Sequence, residues 1–522
     1  MIMEYDYDPP TGTEGETMRQ TARLAVLALA LSLAAGGAFA QTNLRIGLGD
    51  DGDALDPTLS RFYTTRIVFA AICDKLFDID EKTNVVPQLA LSHETSPDGK
   101  TVTLKLRPGV KFHDGEPFDA KAAKYSLDRH LFMKGSFRKP ELSVVESVDV
   151  VDPLTIKLNL KAPFSPLLAQ LTDRAGMMIS PKAGEAAGDK FALHPVCAGP
   201  YKFVERVAQD RIVVEKFADY WDKDHVFIDK ITYLPIVDAT VRVANLRSGG
   251  LDLMERVLAT DIKTVRDNPK LRLSKAVSLG WFGLLINLDN GPTSNNPLGK
   301  DARVRRAFEL SIDRELLNQV VFNGEFVPGN QWVSPQNPYY QQAFPIPKRD
   351  LAKAKALLQE AGVKTPLTLD FMVTNTPEAR STAEVVQSMA AEAGFDLKLR
   401  VTEAATAQKQ AEDGSYQIYM NNWSGRIDPD GNSVIYQTCG APMNMGHYCD
   451  KEVDALHEQA RTAGDLAARK AAYEKLTAKF LAEGWIIYLY HPQYLVAHTD
   501  RLENFRPMPD GMLRVVGLKL KQ

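Results

Sequence analysis

The stretch NNWSGRIDPDGN, residues 421–432, gathers the side chains best suited to chemistry. Trp423 is an isolated indole among small, polar and acidic neighbours, a setting that suits a ligand-facing surface better than a core. Arg426 carries a fixed charge on a planar fork, the shape that grips a carboxylate or phosphate. Asp428 and Asp430 add two carboxylates two residues apart. As an acid/base pair they would make the chain a secreted hydrolase, but a loop holding Pro429 and Gly431 need not aim both at one substrate, and no oxyanion element is visible. As the opening of a calcium loop they fail at Ser433, where the sharp-turn glycine belongs, and at Cys439, where the bidentate glutamate belongs. Two readings of Arg426 stay open: it meets an anionic ligand group, or it braces the loop by pairing with Asp428 or Asp430.

Other motifs are weaker. Gly47-Leu48-Gly49-Asp50-Asp51-Gly52 has dinucleotide-loop spacing, yet its aspartates would repel a pyrophosphate and Pro57 interrupts the helix that should follow. Gly99-Lys100-Thr101 ends like a phosphate-binding loop, but Glu94 occupies the first glycine position, leaving a hairpin turn. The nine histidines include no pair three or four residues apart, and neither H-E-x-x-H nor G-x-S-x-G occurs. No cofactor is expected.

Positioning such residues takes a sizeable scaffold. The chain has 522 residues, too many for one compact core. The segment LAKAKALLQEAG near Asp350 places Leu351, Ala354, Leu357, Leu358 and Ala361 on one helical face, with Gly362 as its stop. A strand follows at 367–373 (LTLDFMV), then a helix at 378–393 ending at Gly394, then a strand at 396–401. This alternation predicts an open sheet covered on both faces. The first half is richer in short alternating strands, at Thr101–Leu106, Thr155–Leu160, Arg211–Lys216 and Lys230–Leu234, separated by Pro and Gly turns.

Lys and Arg number 62 against 66 Asp and Glu, which argues against nucleic acid as a partner. The one strongly apolar run, residues 24–35, is too short for a bilayer core of about 30 Å. Arg19 and Arg23 precede it and Ala38-Phe39-Ala40 follows, the order of a secretory signal peptide cleaved after Ala40. Residues 1–17 are acidic, which points to Met18 as an alternative start. Removing five acids and two arginines with the leader brings the net charge from −4 to about −1. Export makes disulfides available. Four cysteines permit three pairings, and proximity favours Cys439 with Cys449, leaving Cys73 with Cys197.

Residues 101–127, TVTLKLRPGVKFHDGEPFDAKAAKYSL, resemble the most recognisable stretch of the family 5 extracellular solute-binding proteins, the periplasmic receptors of peptide and nickel ABC importers. The likeness continues through AGPYKF (198–203), DYWDK (219–223), residues 231–253, LINLDN (285–290), residues 301–317 and WSGRIDPDGN (423–432), and spans 43–520 in order. It implies an α/β fold of two lobes joined by a hinge, plus an extra domain in the N-terminal half. Lobe I would take 43–80, 190–285 and 490–522, the extra domain 81–189, and lobe II 286–489. The implied function is non-enzymatic capture of a small peptide or peptide-like solute by cleft closure, with delivery to an inner-membrane ABC permease by a periplasmic monomer. A non-peptide anion, nickel or haem is the alternative cargo within the same fold.

In resembling peptide binders the tryptophan matching Trp423 lines the cleft, and an aspartate three residues later meets the peptide ammonium. Arg426 departs from that pattern, and Asp428 or Asp430 could substitute if either faces the cleft. Further expected ligand contacts are Ser424 and Gly425 in the same loop, Tyr63 after the first strand, Asn287 and Trp281 near one chain crossing, and Tyr490 with His491 near the last.

Overall fold

The computed structural model describes residues 3–8 and 41–521. The expected signal peptide lies outside the described residues. Residues 3–8 form no regular element, and Asn43–Gln522 form one compact unit. Three sheets organise that unit.

The seven-stranded sheet runs, edge to edge, Leu271–Val277, Gln493–Thr499, Leu253–Met254, Asn43–Leu48, Lys230–Pro235, Arg211–Lys216 and Tyr201–Val207. Asn43–Leu48 is parallel to both its neighbours. Arg45 is tied bidentately to the buried Asp252 at 2.8 Å, which fixes the register beside the strand Leu253–Met254. The six-stranded sheet runs Val327–Pro328, Ile486–His491, Trp281–Ile286, Ile418–Trp423, Leu367–Thr374 and Phe395–Thr402. Its strands alternate between two cores. Leu284, Ile286, Phe371, Val373, Ile418 and Met420 face one, while Trp281, Leu285, Met372 and Tyr419 face the other. A sheet covered on both faces is what the apolar pattern of 351–401 predicts. The helix Leu351–Glu360 starts at Asp350, whose carboxylate caps the Lys353 amide, and Gly362 and Gly394 take the positive φ at the stops (68° and 104°).

The four-stranded antiparallel sheet, Ala90–Thr95, Thr101–Leu106, Thr155–Leu160 and Val145–Asp152, is backed by the helix Ala120–Phe132. Leu104, Leu106, Ile156 and Leu158 on one sheet face pack with Ala123, Leu127 and Leu131. Two disulfides are formed, Cys73–Cys197 and Cys439–Cys449, with Cα–Cα distances of 4.9 and 4.5 Å.

The chain passes between the seven- and six-stranded sheets at two adjacent places, residues 278–280 and residue 492. They are stitched together: the Ser278 amide donates to the Pro492 carbonyl at 2.9 Å, and His491 Nδ1 lies 2.7 Å from the Gly280 carbonyl. Burial holds the His491 imidazole at a pKa of about 4, so the ring is neutral at pH 7 and Nδ1–H donates.

Candidate functional site

Both large sheets present the carboxyl ends of their parallel strands to the space between them, the position where open α/β sheets hold ligands. Asp50 and Glu255 follow Asn43–Leu48 and Leu253–Met254; Glu378 and the loop from Trp423 follow Leu367–Thr374 and Ile418–Trp423. The helix Tyr63–Ile72 runs along the same space and contributes Tyr63 and, one turn on, Arg66.

One pole of this cleft is acidic. Glu255 is buried, accepts the Gly49 amide at 2.7 Å and pairs with Arg256 at 3.1 Å. Burial raises the carboxyls of Glu378 and Asp50 above their usual range, with Arg256 opposing. Tyr63 stands next, stacked on Tyr494 at 5.5 Å and lying under the Arg256 guanidinium at 4.9 Å, its hydroxyl donating to the Gly511 carbonyl.

The other pole is cationic. Arg66 is fully buried; it pairs with Asp173 at 2.8 Å and reaches across to Ser424 Oγ at 3.3 Å. Tyr494 also donates to the Ser424 carbonyl, at 3.4 Å. Arg426 is 7% exposed, lies 4.8 Å over the Trp423 ring, and contacts Asp173 at 3.4 Å and Glu141 at 3.3 Å. Arg138 pairs with Glu141 at 2.7 Å, and Arg174 follows Asp173 directly. The loop from Trp423 is shaped around Asn432, whose Oδ1 accepts the Trp423 indole at 3.0 Å and the Arg426 amide at 2.6 Å. Gly425 (φ 87°) packs on Leu279 and Gly280; a Cβ there would lie 2.2 Å from the Leu279 carbonyl carbon. The loop is therefore pressed on one of the two chain crossings.

The chain and its fold have relatives. The model of the bacterial extracellular solute-binding proteins, family 5 (middle), matches residues 84–444. The glutathione-binding protein GsiB of Pectobacterium atrosepticum is 30% identical over 496 residues, covering 92% of this chain and 95% of that one. This chain belongs to family 5 of the bacterial extracellular solute-binding proteins. Among solved structures, the binding protein AgaA of A. tumefaciens R10 in complex with agropinic acid superposes on this solute-binding protein with a TM-score of 0.81 at 26% identity, covering 92% of this chain and 99% of that one. DppA of Helicobacter pylori in complex with the peptide STSA gives 0.82 at 24%, covering 92% and 99%.

The solute-binding protein departs from several residue expectations. Arg426 pairs with neither Asp428 nor Asp430. Asp428 is held bidentately by Arg469 at 2.8 and 2.9 Å, and Asp430 by Arg461 at 2.6 and 3.2 Å, so both carboxylates are already neutralised inside the six-stranded half. Neither is free to take an ammonium. Asn287 is fully buried and spends its amide on the carbonyls of Asn290 and Tyr416, closing a turn. Trp281 is wedged between Tyr436 and Tyr488 at 4.9 and 5.0 Å, and Tyr490 is stacked on Phe282 in the core. His491 stitches the crossing. Trp281, Tyr490 and His491 serve packing and the crossing because the strands that carry them are flanked on both sides in a sheet covered on both faces, and Asn287 serves the turn that follows one of them. Tyr63, Trp423, Ser424, Gly425 and Arg426 are brought together at the cleft.

Residue patterns missed Arg66, Arg138, Asp173, Arg174, Glu255 and Glu378. A signal existed for Arg66, the one charge in the apolar helix YTTRIVFAAI, where a buried guanidinium demands a partner. Among the described residues, no group of three or more His, Cys, Asp or Glu gathers as a metal site would.

Proposed function

We propose that this protein captures a small peptide or peptide-like solute in the cleft, closes on it, and delivers it unaltered to an ABC permease in the membrane. The carrying observation is the two-pole charge arrangement: the carboxylates of Asp50, Glu255 and Glu378, only partly answered by Arg256, at one end, guanidiniums of Arg66 and Arg426 at the other, with stacked Tyr63 and Tyr494 between. A zwitterionic chain is complementary to such a cleft, ammonium to the acidic pole and carboxylate to the cationic one. Relatives named for glutathione, and structures holding agropinic acid or a peptide, support that class. Two lobes and an extra domain close as units about residues 278–280 and 492, with 281–285 and 490–491, expected in lobe I, moving with the six-stranded sheet that holds them. Ligand contacts to both lobes offset the ordering cost of closure, and the closed form is what the permease reads. Export through a cleaved leader and a monomeric state belong to the same reading.

Stripped of co-purifying molecules and mixed with glutathione or a dipeptide mixture, the protein should melt at a higher temperature; saturation at a hundredfold the Kd adds about 2.7 kcal/mol. The solute should be recovered intact, and a chemically converted solute contradicts the proposal. Arg426→Ala should weaken binding more than tenfold, or about 1.4 kcal/mol. Unchanged affinity with a lower melting temperature, measured by calorimetry and thermal melts, would assign Arg426 to bracing alone.

A further inference from the structure

The cationic pole is charged beyond what its own carboxylates answer. Arg66, Arg138, Arg174 and Arg426 are each 7% exposed or less, and they share Asp173 and Glu141. The next carboxylates do not make up the difference. Asp510 is bound by Arg514 at 2.5 Å, and Asp78 by Arg514 at 2.6 Å and Lys75 at 2.7 Å. The Nε atoms of Arg138 and Arg174 are buried without a hydrogen-bond partner, and so are Glu141 Oε2 and Asp173 Oδ2, so the excess lies in the charge count, four guanidiniums to two carboxylates. Burial first, then the neighbouring guanidiniums, pushes the Arg174 pKa well below its ordinary value, and burial lowers that of Arg138. A cavity of about 10 Å³, room for one water, is bounded by Arg66, Thr172, Asp173, Gly425, Arg426 and Asp510; Arg66 and Arg426 line it, and Arg138 and Arg174 lie behind them.

We propose that the end of the solute that meets Arg66 and Arg426 as the cleft opens and recloses, with Arg138 and Arg174 charged behind them, carries two negative charges, as two carboxylates on one terminal unit. This rests on the capture reading above and narrows its solute class. Two carboxylates match the two guanidiniums that lack a counter-charge, and planar forks suit bidentate carboxylates. The same excess makes the anion a condition of closure. The contacts of Arg426 with Asp173 and Glu141, and of Arg66 with Ser424, bring the guanidiniums together, and like charges in a low dielectric repel unless an anion sits among them.

Charge-only pairs of probes test this: alanyl-glutamate against alanyl-glutamine, and succinate against succinamate, titrated calorimetrically into stripped protein. The diacid of a pair should bind at least tenfold tighter than its monoamide. In Arg138→Gln and in Arg174→Gln that preference should fall below threefold, and Arg138→Lys should restore most of it, which a merely structural role would not do. Should either glutamine variant fail to fold, the wild-type pairs decide alone. Equal affinity within both pairs overturns the dianionic end while leaving capture intact. No binding by any probe overturns the dianion, whereas the glutathione and dipeptide melts judge capture separately.

Discussion

Asp173→Asn is expected to lower the unfolding free energy by about 3–5 kcal/mol, the cost of removing one member of a buried ion pair. Asparagine is isosteric and can still accept the Arg174 amide, which Asp173 Oδ1 takes at 2.7 Å. Only the charge is lost. Asp173 is 3% exposed and contacts Arg66, Arg174 and Arg426, so one carboxylate serves three guanidiniums. Burial works to raise its pKa, yet Arg66, Arg426 and Arg174 together hold it well below the usual carboxylate range. The sign follows: a depressed folded-state pKa contributes stability that is present above the unfolded value and is lost only as pH falls far into the acid. Urea titration at pH 7 measures the loss, and a change under about 1 kcal/mol would remove Asp173 from its place as the hub of the cationic pole.

The second large effect concerns the long disulfide. Cys73 closes the end of the helix Tyr63–Ile72 and Cys197 lies on the segment bridged to Ile179, a sequence separation of 124. On the loop-closure account a bridge spanning some hundred residues stabilises by about 4.7 kcal/mol, against about 3 for a loop of fifteen. The double substitution Cys73→Ser with Cys197→Ser should therefore cost about 4–5 kcal/mol, clearly more than the same change at Cys439 and Cys449, whose separation is 10. The site adds to the expectation, because Gly199 packs so closely on Ile72 that a Cβ would lie 2.5 Å from its carbonyl carbon. Guanidinium titrations of both double variants measure the two costs, and equal losses would contradict the loop-length argument.

Much of the scaffold was legible because burial writes itself as periodicity. Thr155–Leu160 alternates in sequence, Arg211–Lys216 and Leu367–Thr374 carry short β-branched or apolar runs, and each is a strand. The loop from Trp423 stood out by composition, and it packs on the crossing at Leu279 and Gly280 and meets Arg66 through Ser424. Its partners did not stand out. Asp428 and Asp430 looked like the natural counter-charges for Arg426, being two and four residues away. The carboxylates that hold it lie 285 and 253 positions upstream, at Glu141 and Asp173, and only the packing of the four-stranded sheet region against the loop brings them there. Local charge spacing carries no information about such a contact. Aromatic and polar residues at strand ends were ambiguous for a related reason. Trp281, Tyr490 and His491 flank the crossings and Asn287 ends the strand Trp281–Ile286, positions from which a side chain can face a cleft or a core; Trp281 and Tyr490 pack into the cores, and Asn287 and His491 are buried on backbone carbonyls.

A receptor that captures its solute without turnover retains that solute chemically intact. The purified protein, examined by native mass spectrometry and then denatured to release what it holds, should show a one-to-one complex with a peptide-like acid. That acid, returned to stripped protein, should rebind and be recovered chemically unchanged. Release of a reaction product, or conversion of the solute on rebinding, would be incompatible with capture without turnover.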